Sequence, residues 1–188
     1  MSVKVAGIDQ SRKGFGWALG SDDSGAIPSW GVDDLSEAGS NEGLMYFLAA
    51  KRVRELIDRG AQKIFIETPI MMRHDNINQS MIKFGLQAAM MQACYECKVP
   101  YAWVDVNKWR ERFLGFYKPP PGIVGQKARR SWFKETAKQQ CFARGWLVQD
   151  DNAAEALGIL DFGLASVSQA YKRRVGPIIR RAELRRMV

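Results

Sequence analysis
The sequence predicts an α/β fold in which a five-stranded mixed sheet is flanked by helices. Three observations carry this expectation. Residues 3–9 form an apolar stretch that passes through a Gly-bearing turn into a second apolar stretch at 15–19, a hairpin signal. A helical apolar pattern over 41–59 leads into the run Ile64, Phe65, Ile66, and strand, helix, strand implies a right-handed crossover between parallel strands. A further strand pattern at 100–106 follows another helix, so antiparallel and parallel pairing meet in one sheet.

Along the chain, period-two alternation puts Val3, Val5, Gly7 and Asp9 on one face of the first strand, and Gly14 and Gly16 permit a tight turn. A third short strand is expected near 29–32, around Trp30. In the first helix Leu44, Phe47, Leu48, Val53, Leu56 and Ile57 recur at helical spacing, and Gly60 stops it. The run 64–66 reads as a central strand buried on both faces that ends at Glu67, with Pro69 preventing extension. Residues 75–98 form the longest helical stretch, capped by Asp75 or Asn76, with Ile77, Met81, Phe84, Ala88, Met91 and Tyr95 along one side. Such a stripe is ordinarily core, although its Met and Ala content also suits a second subunit. After the strand at 100–106 come a basic, aromatic turn (107–114), a Pro-rich loop (118–122) and a helix over 126–144, where Trp132 and Phe133 are read as core anchors among Lys and Arg. Asp150 opens a last helix to about Tyr171. The expected organisation is one domain, 1–170, and a basic tail, 171–188.

A length of 188 residues with 46% hydrophobic content suits one domain with a sizeable core. The net charge of +8 fits a polyanionic partner. There is no apolar run of about 18 residues and no signal-peptide pattern at the N-terminus, so a soluble, cytoplasmic protein is expected. Three cysteines argue against a disulfide framework, and Cys94-x-x-Cys97, with only Cys141 and the lone His74 as further soft ligands, reads as thiols in a reducing compartment.

The functional signal lies in the acids. A carboxylate at the end of an apolar strand is costly to bury unpaired, and bound cations are a usual remedy where further acids converge. Asp9 and Glu67 end two strands, and Asp151 and Glu155 open a helix. Asp151 and Glu155 are about 40° apart around the helix axis and Asn152 about 60° from Glu155 on the other side, so either can face a site with Glu155. Acids in a first turn are also explained by capping.

In order, GIDQSRKGFGWA (7–18), IFIETPIMM (64–72), KFGLQAA (83–89), VPYAWVDVNKWR (99–110), GQKARR (125–130) and NAAEALGIL (152–160) resemble the motifs of the RuvC-like Holliday junction resolvases of the ribonuclease H superfamily. The resemblance covers most of the chain to about residue 168. It implies a ribonuclease H-like fold, with Asp9, Glu67 and Glu155 at metal-ligand positions. The family usually ends with two acids three residues apart, where this chain has Asn152 and Glu155. Asp151 is taken to complete the set, with Asn152 as a possible substitute. The family's catalytic lysine falls on Lys127, which in sequence terms is equally well a solvated cation in a basic run. Lys108 also lies at a basic family position, and Ile70, followed by Met71, stands where some members carry an aromatic wedge.

Three or four carboxylates in one pocket repel one another, and two Mg²⁺ ions, for which Mn²⁺ can substitute, would relieve that and serve hydrolysis of a DNA phosphodiester; the resemblance implies 5′-phosphate and 3′-hydroxyl ends. The expected DNA contacts are Ile70, Met71, Arg73, Lys83, Lys108, Lys118, Arg129, Arg130 and Lys134. The resemblance implies a homodimer resolving four-way junctions by paired nicks. A non-catalytic DNA-binding relative and a flap or RNA:DNA-hybrid nuclease are the alternatives. The compact, basic-tailed form suits a bacteriophage or mobile element as well as a bacterial chromosome. Actin-like and sugar-kinase ATPases share the opening hairpin but need a second lobe that this length does not provide.

Overall fold
The computed structural model describes residues 2–69 and 77–178. Its strands are β1 (Lys4–Asp9), β2 (Phe15–Ser21), β3 (Ser29–Asp33), β4 (Lys63–Glu67) and β5 (Tyr101–Val104), and they form one sheet in the order β3-β2-β1-β4-β5. β1 pairs antiparallel with β2 and β2 with β3, whereas β1 with β4 and β4 with β5 are parallel. The expected mixed sheet is therefore present. The register sets Ile8 beside Ile66, so Asp9 and Glu67 leave their strands side by side at the same end of the sheet.

The helices are α1 (Glu42–Asp58), α2 (Ile77–Glu96), α3 (Val106–Leu114), α4 (Gln126–Ala143), α5 (Asp151–Val167) and α6 (Gln169–Arg174). One face of the sheet packs with α3, α4, α5 and α6 around Phe65, Trp109, Phe113, Phe133, Leu157 and Leu160. The other packs with α1 and α2 around Ile8, Phe15, Leu56, Ile64, Ile66 and Met90. β4 contributes to both cores, which is why its apolar run is unbroken. Phe133 is buried and Trp132 packs against the same core, as expected of anchors.

Four local expectations change. Gly14 and Gly16 do not adopt left-handed backbone; a Cβ on either would collide with Asn152, so they are small because α5 crosses there. Residues 106–114 are a full helix, with Asp105 accepting from the Asn107 amide at 2.8 Å and Gly115 closing it at φ 83°. The last helix is broken at Ser168, whose extended backbone (φ −126°, ψ 110°) ends α5 and whose hydroxyl caps α6. The α2 stripe from Ile77 to Tyr95 faces outward, with Ile77, Phe84 and Tyr95 exposed by 76%, 55% and 85%. The core is instead met by Leu86, Met90, Ala93 and Cys94. The expected cap of this helix, Asp75 or Asn76, lies outside the described residues.

The boundary expected at residue 170 falls inside α6, and the chain stays packed to Ile178. Tyr171 is buried and donates to Asp161 at 3.0 Å, Arg112 and Arg144 donate to the Val175 and Gly176 carbonyls, and the Ile178 amide donates to Gln140. Asp161, fully buried, also accepts from Arg112 and Arg144 at 3.2 and 2.7 Å, so α3, α4, α5 and α6 are tied through one carboxylate. Cys94, Cys97 and Cys141 are free thiols. No helix among the described residues is long and apolar enough to cross a membrane.

Candidate active site
The ends of β1 and β4 and the first turns of α5 enclose a cleft of about 290 Å³ lined by Asp9, Gln10, Ser11, Glu67, Pro69, Lys83, Arg110, Arg130, Lys134, Asn152 and Glu155. Three acids separated by most of the chain meet there. The close packing of α5 on β1 makes this possible: a Cβ on Gly7 would stand 2.5 Å from both the Ala156 carbonyl oxygen and the Leu160 amide nitrogen, so only glycine lets the helix lie directly on the strand. Asp150 starts α5 by accepting from the Asn152 and Ala153 amides at 2.7 and 3.3 Å, which fixes where Glu155 emerges one turn later.

The electrostatics follow from crowding. Burial, then the charges of Glu155 and Glu67, push the Asp9 carboxyl well above its ordinary range. Burial and Glu155 push Glu67 up to about 7, against a hydrogen bond from the Trp109 indole that holds it down. Glu155 is also raised by burial, against the opposing pull of Arg110 and Lys134. Asp151 behaves differently: burial raises it, but the hydrogen bond and charge of Lys134 outweigh this and leave it low. Lys134 is correspondingly raised, because Asp151, Glu155 and Asp9 together overcome its desolvation.

Two residues of α3 that the sequence did not single out hold the acids. Trp109 donates from Nε1 to Glu67 Oε2 at 2.9 Å, and Arg110 donates from Nη2 to Glu155 Oε1 at 3.2 Å. Their signal was present in VDVNKWR as a capping Asp four and five residues before an aromatic and an arginine, but that pattern fits any amphipathic helix. Gln10 was also missed. It donates to the Glu67 carbonyl at 2.9 Å, while its Oε1, buried at the cleft, accepts from no group among the described residues.

Of the residues expected from sequence, Asp9, Glu67, Glu155, Lys83, Arg130 and Lys134 line the cleft. Asp151 does not; it turns to α4 and pairs with Lys134, and Asn152 lines the cleft in its place. Lys127 is exposed in the first turn of α4 and is not brought to the acids. Lys134, two helical turns further on, is. Lys108 and Arg129 are exposed outside the cleft, and Lys118 lies over the Tyr117 ring at 5.4 Å. Ile70, Met71 and Arg73 lie outside the described residues.

The donor chemistry suits a hard divalent cation: carboxylate oxygens whose mutual repulsion a cation would relieve, and a buried amide oxygen without a partner among the described residues. As placed, no group of three or more Asp, Glu, His or Cys side chains among the described residues is arranged to hold an ion, and two of the acids are engaged by Trp109 and Arg110.

No protein-family model and no curated protein matches the sequence. Solved structures do match in fold. A structure of Thermus thermophilus RuvC aligns with a TM-score of 0.63 at 17% identity over 91% of this chain and 96% of that one. A structure of T. thermophilus RuvC in complex with a Holliday junction substrate aligns with a TM-score of 0.60 at 17% identity over the same shares. The chain thus has a RuvC-like, ribonuclease H-like fold.

Proposed function
We propose that this protein is a divalent-metal-dependent endonuclease that cuts branched DNA, with four-way junctions as its substrate. The observation that carries the reading is the convergence of Asp9, Glu67 and Glu155 with Lys83, Arg130 and Lys134 in one cleft of a RuvC-like fold. Acids alone would repel a phosphodiester. Cations around them let the same cleft accept one, as the net charge of +8 does at longer range.

Asp9, Glu67 and Glu155 would hold Mg²⁺ or Mn²⁺, with Gln10 Oε1 and Asn152 as neutral oxygen acceptors for bound water. When bound, such ions activate water and stabilise the departing oxygen in an in-line displacement. Lys134, kept charged by the acids around it, and Arg130 draw the phosphate in and offset the charge that grows on its oxygens. A water oxygen would bond to phosphorus, giving up a proton to solvent, as the bond to O3′ breaks and O3′ takes a proton from solvent, leaving a 5′-phosphate and a 3′-hydroxyl. Asp151 keeps Lys134 oriented through their ion pair.

A homodimer suits a junction of near two-fold symmetry, because two equal sites then meet two equal strands. Support comes from α2, where Ile77, Met81, Phe84, Ala88, Met91 and Tyr95 are spaced 4, 3, 4, 3 and 4 residues apart and are exposed. That is the spacing of a helix that packs against another helix.

A labelled synthetic four-way junction, compared with duplex, flap and RNA:DNA hybrid in Mg²⁺ and in EDTA, tests the reading. Paired nicks on the junction that vanish in EDTA are expected. Junction binding without cleavage in Mg²⁺ or Mn²⁺ would leave a structure-specific binder, and cutting of flap or hybrid alone would assign a different substrate.

A further inference from the structure
Arg110 is the least expected charge in the cleft. It lies one turn into α3, its side chain is 16% exposed, and its guanidinium carbon sits 4.2 Å from the centre of the Phe133 ring and 5.3 Å from that of Trp109. Among the described residues only Nη2 meets an acid, Glu155 Oε1 at 3.2 Å, and the buried Nε has no hydrogen-bond partner. A guanidinium engaged by one edge, with its Nε unsatisfied, gives up part of what a two-pronged pair would supply. Stacking on Phe133 holds it beside the acids without saturating it.

We infer that Arg110 is a place-holding cation: it neutralises Glu155 until a divalent ion binds, then releases it and stays on the Phe133 face with its guanidinium open to the scissile phosphate. The inference rests on the metal-dependent reading above and assigns a positioning role in the same site. The arrangement on α3 supports it. Trp109 and Arg110, adjacent in sequence, each hold one acid, so a single short helix keeps Glu67 and Glu155 in place before an ion arrives. Trp109 is fully buried, whereas Arg110 is partly exposed and lines the cleft. An ion at Glu155 would compete with Arg110 for the same oxygen, because a guanidinium and a divalent cation cannot share it closely without repulsion.

The consequence has a sign that a merely structural arginine would not give. Removing Arg110 should weaken the fold in EDTA and strengthen metal binding. In the full-length protein at pH 8, Arg110→Gln is expected to lower Tm in EDTA by roughly 5–10 °C. It should also bind Mn²⁺, titrated directly by electron paramagnetic resonance of the free ion, about tenfold more tightly, the scale of a coupling between two linked sites. Arg110→Lys, which keeps the charge, should return both values toward wild type. Weaker or unchanged Mn²⁺ binding by Arg110→Gln, with wild-type binding intact, would overturn the inference and leave the metal-dependent reading standing. No Mn²⁺ binding by the wild-type protein would overturn both. Should Arg110→Gln fail to fold in EDTA, Arg110→Lys alone decides: its Mn²⁺ affinity is expected above that of the wild type, since a lysine cannot stack on Phe133 in the same way, and an affinity at or below it counts against the inference.

Discussion
Glu67 shows how one carboxylate links folding to chemistry. Its folded state holds a proton up to about pH 7, whereas an exposed glutamate releases it near 4.5. The folded protein therefore binds more protons than the unfolded chain between these values, and stability must fall as pH rises through that window. In EDTA, Tm followed from pH 5 to pH 8 should decline, and Glu67→Gln should flatten the profile; a wild-type profile that rises over this range would contradict the assignment. Because metal ligation needs the deprotonated acid, Mg²⁺ should restore most stability at the alkaline end. Trp109 works against the proton by donating to Glu67 Oε2. Trp109→Phe keeps most of the volume but removes that donor, and urea unfolding should register a loss of about 1–3 kcal/mol.

Among the elements, α5 carries the site, and its seat on the sheet is backbone against strand. Gly7→Ala would drive a Cβ into the main chain of α5, and a fall in Tm of roughly 5–10 °C or a failure to fold is expected. Gly20→Ala is the control: its Cβ would meet side chains and no backbone, the end of Leu160 at 3.0 Å and the Pro28 Cβ at 3.3 Å, so differential scanning calorimetry should show a smaller shift. Equal effects would mean that α5 is not seated as described. Sequence periodicity located α5 and its acids but left the choice between Asp151 and Asn152 open, because both lie within about 60° of Glu155. What decides is the partner on each side: Lys134 of α4 draws Asp151 away, and the hairpin glycines make room for Asn152. Lys127 and Lys134 pose the same difficulty, since seven residues on a helix share a face and only tertiary packing sets which level reaches the cleft.

For the molecule as a whole, β1, β2 and β4 were legible because their apolar runs are strong local signals, whereas β3 stood only as a short strand around Trp30 in a loop-rich stretch; Asp9 and Glu67 were legible because a charge ending an apolar strand stands out. The outward face of α2 was not. Ile77, Met81, Phe84 and Tyr95 form one apolar stripe, while Leu86, Met90 and Ala93 belong to another, and spacing alone does not say which turns inward. Phe84→Glu together with Met81→Glu should leave monomer stability within about 0.5 kcal/mol of wild type while abolishing self-association in analytical ultracentrifugation. A variant that remained dimeric would place the interface elsewhere. The central claim is that the cleft of Asp9, Glu67 and Glu155 cuts the DNA that the basic surface binds. The most direct measurement is junction binding and junction cleavage by Asp9→Asn under the same Mg²⁺ conditions. Unchanged binding with cleavage slowed on the order of a hundredfold or more is predicted, and cleavage at the wild-type rate would contradict it.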